Sequence, residues 1–129
     1  MGQGSDLAGE DVVLEAVPFS AQWLRENIHP TSNAALRLLH AYGDSMSPTL
    51  NSGDIILVDT GRRNPSDADG IYVLETDERL FVKRVTTKLD GRKIVSNDNP
   101  SVPTAEVLDG SNIIRIIGRV VRCWNGKKL

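Results

Sequence analysis

The stretch Tyr42–Asp59, "YGDSMSPTLNSGDIILVD", decides how the chain folds. Its first two-thirds holds two Gly-Asp pairs, a proline and several hydroxyl side chains around Met46. Its last third is the strand-like run Ile55–Val58. A turn alone needs only a Gly or an Asn. A serine presented at so tight a bend, directly before a strand, suggests a nucleophile. A serine hydroxyl does not act without a base, so the rest of the chain has to supply one.

On either side of this stretch the pattern is that of short strands. Ser20 is placed to cap a helical turn in which Trp23, Leu24 and Ile28 fall near one face. His29-Pro30 ends that element. Residues 34–42 fit period two through Leu36, Leu38, His40 and Tyr42 and a helix through Leu36, Leu39 and His40; because Gly43-Asp44 follows at once, a strand ending at Ser45 is the expectation. Beyond it, Ile55–Val58, Ile71–Leu74, Leu80–Val85 and Ile94–Val95 read as strands, with Asp90-Gly91 as a hairpin signal. Residues Asn97-Asp98-Asn99-Pro100 read as a turn. Ile113–Trp124 is a long β-rich run in which Gly118 marks a bulge or bend. The expectation is a mostly β fold of twisted antiparallel hairpins with one or two short helical turns. Residues 1–16 read as a flexible arm or linker and residues 17–129 as one domain.

Bulk properties exclude several classes. A chain of 129 residues supports a single core, and 40% apolar with 25% charged residues is ordinary for a globular protein. A net charge of −2 provides no electrostatic footprint for nucleic acid, so any DNA contact belongs to another segment. The single cysteine, Cys123, forms no internal disulfide and fits a reducing cytoplasm. No apolar run reaches the roughly 20 residues that span a bilayer, so no membrane role is expected. No metal-ligand spacing and no phosphate-cradling glycine loop is present, and no cofactor is expected.

The base must come from few candidates. Of the two histidines, neither His29, before a proline, nor His40, on the run entering the turn, has a carboxylate at a spacing that suggests a Ser-His-Asp site. Lys83 stands out instead, inside the otherwise apolar "LFVKRV". Alternation puts it on the face of Phe81 and Val85, with Arg84 on the face of Leu80 and Val82. Arginine keeps its proton, whereas a lysine moved out of water gives it up and becomes a base. The competing reading is an edge-strand lysine whose amine reaches solvent and discourages aggregation.

The combination "GDSMSPTL", "SGDIILVD" and "FVKRV" closely resembles the LexA/UmuD family of Ser-Lys peptidases, which includes the carboxy-terminal domains of lambda-type phage repressors. The resemblance covers 17–124, and "VPFSAQWL" and "IIGRVV" look like the repressor branch. It implies a LexA/signal-peptidase-like β-ribbon fold, Ser45 as nucleophile and Lys83 as general base. It also implies oxyanion donors from the backbone amides of Ser45 and Met46. Relatives of this kind cut themselves, typically at an Ala-Gly bond, and "DLAGEDVVLE" offers Ala8-Gly9. Glycine lets the backbone approach closely, and Val12-Val13-Leu14 has the character of an added strand that would hold the bond in place.

By that resemblance the chain is a repressor's dimerising, self-cutting regulatory domain. Its partners would be a second copy and an activated RecA filament or an antirepressor protein. Operator DNA would be bound only through a separate amino-terminal domain, since residues 1–16 are too short for a helix-turn-helix. The rival readings are a UmuD-like polymerase accessory protein in the DNA-damage response and a non-cleaving oligomerisation module. A signal peptidase shares "SMSPTL" and "KRV" but needs an anchor and further glycine-acid motifs that do not appear.

Overall fold

The computed structural model describes residues 20–102, 105–108, 110 and 113–125. Seven strands form one antiparallel sheet: β1 Leu36–His40, β2 Ile55–Asp59, β3 Gly70–Thr76, β4 Arg79–Thr87, β5 Lys93–Ser96, β6 Ala105–Val107 and β7 Arg115–Trp124. Their order is β1-β2-β7-β3-β4-β5-β6, so the last strand is inserted between β2 and β3. Among the described residues one α-helix, α1 Ala21–Asn27, and a short 3-10 turn at Asn33–Ala35 precede the sheet. The mostly β expectation holds.

The apolar runs of β2 and β3 are continuous because both faces of these central strands are covered. Ile56 and Val58 join Leu39, Met46, Leu50, Val73 and Leu80 in one core. Leu57, pointing the other way, packs with Leu24 and Ile28 under α1. On β3, Val73 belongs to the first core, while Tyr72 and Leu74 pack with Val85 in a third. Side chains alternate across a strand, so a run apolar at every position needs a cover on each side.

α1 starts where Ser20 accepts a hydrogen bond from the Trp23 amide, at 3.2 Å. A cap of this kind contributes about 1 kcal/mol. The helix is fixed to the sheet by an aromatic stack, Trp23 on Trp124 at the end of β7, with centroids 6.4 Å apart. The Arg122 guanidinium lies 5.5 Å from the Trp23 ring centroid.

The structure departs from the sequence expectation at the end of β1 and at β6. β1 ends at His40, not Ser45, because the Ala41 amide donates to the Asp54 carbonyl (2.8 Å) and the Gly53 amide to the Ala41 carbonyl (2.7 Å). Those two bonds close the loop at its neck and release residues 42–52 from the sheet. The irregularity expected at Gly118 falls beside it: on the β3 edge the register shifts between Val73↔Gly118 and Leu74↔Ile116. A Cβ on Gly118 would stand 2.6 Å from the Asp59 carbonyl oxygen, so glycine is needed for close strand approach. The short strand β6 was not expected at all.

Candidate active site

The loop between β1 and β2 is built to hold Ser45 still. Gly43 and Gly53, with φ of 86° and 94°, supply the left-handed positions at its two ends. Between them the Ser47 amide donates to the Asp44 carbonyl (3.1 Å) and the Leu50 amide to the Met46 carbonyl (3.0 Å). Met46 and Leu50 are buried in the core and act as plugs under the turn. Buried Asp54 accepts from the Asn51 amide at 2.9 Å and ties the far side of the loop to the start of β2. Ser45 itself is half-buried at the surface of this frame.

Lys83 lies in β4, opposite Tyr72 of β3. In sheet order β4 stands three places from β2, yet Ser45 and Lys83 line the same cleft. Its walls also include Ala41, Leu50, Leu80 and Val82. The Lys83 amine lies 5.9 Å from the Phe81 ring centroid, in keeping with a shared face of the strand. Lys83 is half-buried, and its Nζ donates to Asn97 Oδ1 at 2.5 Å.

Arg84 points to a different partner. Its Nε and Nη2 donate to Asp98 Oδ1 and Oδ2 at 2.7 and 2.8 Å, a two-pronged contact. Thr49 Oγ1 donates to the same carboxylate at 2.6 Å. The Arg84 guanidinium, more than the Thr49 hydroxyl, holds the Asp98 carboxyl below the usual range and more than offsets its partial burial. The same contact raises Arg84 above its ordinary value.

The loop 97–100, read from sequence as a turn only, thus reaches every part of the site. Asn97 meets Lys83, Asp98 meets Arg84 and Thr49, and the Asp98 amide lies 3.4 Å from Met46 Sδ. The Asn99 amide donates to the Ser45 carbonyl (3.0 Å), and Asn99 Nδ2 to the Asp44 carbonyl (2.8 Å). The sequence held one signal for this, the density of amide and acid groups in "NDNP", but no indication of the partners.

The other candidates fall elsewhere. His40 is a half-buried β1 residue whose Nδ1 lies 3.5 Å from the Tyr42 hydroxyl. Ala8, Gly9 and the arm 1–16 lie outside the described residues. Among the described residues, no helix is long and apolar enough to cross a membrane.

The profile of the family described as Peptidase S24-like matches residues 2–121. The chain belongs to that family. It is similar to an uncharacterized HTH-type transcriptional regulator of Haemophilus influenzae, 35% identical over 82 residues, which is 63% of this chain and 34% of the relative. It is also similar to the 26 kDa repressor protein of Escherichia phage HK022, 26% identical over 98 residues, 75% of this chain and 41% of the relative. The chain thus spans between a third and a half of the length of these relatives. Family membership agrees with the LexA/UmuD resemblance and brings a peptidase-type fold with it.

Proposed function

We propose that this S24-like domain is the carboxy-terminal regulatory part of a phage or prophage transcriptional repressor, and that Ser45 and Lys83 cut the chain's own Ala8-Gly9 bond. One observation carries the catalytic reading: a serine on a braced turn and a strand lysine, 38 positions apart in sequence, line one cleft. The two relatives, one named a repressor and one a transcriptional regulator, carry the biological reading.

The chemistry follows from the residue types. A neutral Lys83 amine takes the proton from Ser45 Oγ as the oxygen attacks the Ala8 carbonyl carbon. The backbone N–H groups of Ser45 and Met46 stabilise the oxyanion that develops. The Lys83 ammonium then gives its proton to the Gly9 nitrogen as the C–N bond breaks, leaving an Ala8 ester on Ser45. Water, deprotonated by the same amine, hydrolyses that ester and restores the serine. β5 pairs with β4 only from Arg84 to Thr87, and the cleft-lining part of β4 precedes that pairing. The segment around Val12–Leu14 would lie along that earlier part as an added strand.

Control is a two-state matter. With the arm away, water reaches Lys83 and keeps it protonated; with the arm docked, the amine is desolvated and becomes a base. An activated RecA filament would favour the docked state, whereas an antirepressor would act without cleavage. A homodimer and a separate amino-terminal operator-binding domain complete the proposal.

Incubation of the purified chain at mildly alkaline pH, followed by mass spectrometry, tests it. Release of segment 1–8 is expected, faster as pH rises, and abolished by Ser45→Ala and by Lys83→Ala. An intact chain after prolonged incubation with activated RecA would overturn self-cleavage and leave the oligomerisation module.

A further inference from the structure

The loop 97–100 touches both halves of the proposed dyad from a single short segment. Its own geometry is fixed from several directions. Asn97 Nδ2 donates to the Val102 carbonyl at 3.0 Å, and the Val102 amide to the Asn99 carbonyl at 3.0 Å. Asp98 is clamped by Arg84 and Thr49, and Asn99 is bound to the backbone of Asp44 and Ser45. An amide carbonyl at the end of so constrained a loop is a preorganised acceptor. It meets the Lys83 amine at hydrogen-bonding distance.

We propose that Asn97 is the positioning residue for Lys83: its side-chain oxygen takes one N–H of the amine and thereby turns the nitrogen lone pair towards the Ser45 hydroxyl. This deepens the reading of Lys83 as a base and rests on it. A neutral amine keeps two N–H donors and one lone pair, so fixing one N–H restricts where the lone pair points. An amide suits the task where a carboxylate does not. Asn97 Oδ1 accepts from the amine in either protonation state, whereas a carboxylate in its place would hold the lysine charged and useless as a base. The sequence supplies an aspartate at the very next position, and the fold aims that charge at Arg84 instead. Nearby charged groups include Arg79 on β4, stacked over Phe81, exposed Asp44 on the serine turn, Glu75 on β3 and Lys93 on β5.

The test reads the Lys83 titration directly, by its 13Cε NMR signal, in a Ser45→Ala chain that stays intact. The signal is assigned by its loss in Lys83→Arg. Asn97→Asp is expected to raise the midpoint by about one pH unit or more, and Asn97→Ala to lower it, since the ammonium then loses an acceptor. Opposite movements are the signature of a direct contact. A variant that merely loosens the loop would bring both midpoints to the ordinary lysine value of about 10.4 and overturn the proposal. Coincident curves for all three chains would overturn it equally. In the Ser45 chain, Asn97→Ala is expected to slow self-cleavage about tenfold through lost aim. Failure of the wild-type chain to cut speaks against the dyad, whereas the titrations judge Asn97 whether or not cutting occurs.

Discussion

Asp59 is a carboxylate with 0% exposure at the end of β2, and nothing in its sequence context announces it. Four donors compensate for its burial: the Thr31 hydroxyl at 2.7 Å, the Thr31 amide at 2.9 Å, the Gly61 amide at 2.9 Å and Arg62 Nε at 3.2 Å. Burial on its own would raise the carboxyl pKa, but these bonds together bring it below the ordinary value. Gly61 is obligatory, since a Cβ there would stand 1.9 Å from Thr31 Oγ1. Asp59→Ala would take the shared acceptor away from the Thr31, Gly61 and Arg62 donors and is expected to cost about 2 kcal/mol in urea unfolding. A loss well under about 1 kcal/mol would mean that water takes the carboxylate's place. At this scale the sequence was most legible where a residue contradicts its surroundings. Ser45 stood out in a turn richer than a turn requires, and Lys83 in a strand otherwise apolar. Asn97, Asp98 and Asn99 contradict nothing locally; their partners stand 14, 49 and 55 positions away and only folding reveals them.

Among the elements, the β3–β4 hairpin shows why some turns are silent in sequence. Thr76 pairs with Arg79, so the connection is two residues, Asp77 and Glu78, with φ of 55° and 63°. Both central residues of a type I′ turn need positive φ, which is why Asn-Gly usually marks one. Asp-Glu carries no such mark, and the strong pairing of seven residues on each side imposes the conformation. Glu78→Gly is therefore expected to raise stability by about 0.5–1 kcal/mol, the relief of left-handed strain exceeding the entropy of glycine. An unchanged urea midpoint would show that the turn bears no strain. β2 and β3 were legible because their apolar runs are long enough to need two covers. β6 was not, since two of its three residues are exposed and only pairing with β5 makes it a strand.

On the scale of the whole molecule, the seven-strand order separates the serine turn from β4, yet both contribute to one cleft and one core. Two carboxylates hold that arrangement together at different corners: Asp59 ties the segment around Thr31 to the end of β2, and Asp98 ties the loop 97–100 to β4 and Thr49. Both are held below their ordinary pKa. A depressed carboxyl pKa contributes stability that is complete above the unfolded value, about 4, and is lost as pH falls through the folded value. Urea unfolding should accordingly give a level midpoint above about pH 5 and a falling one below about pH 4. A flat profile down to strong acid would mean that neither anion matters to the folded state. Asp98→Asn should remove its share of that slope while Asp59 retains its own.

The Trp23–Trp124 pair has a practical side. These are the chain's only two indoles, and both sit where the helix seats against the end of the last strand. Intrinsic emission therefore reports the seating of that helix and is blind to events around the serine and the lysine. An experimenter who follows unfolding by tryptophan light alone would watch one corner of the protein, and would need a second chromophore near Tyr42 to see the cleft open.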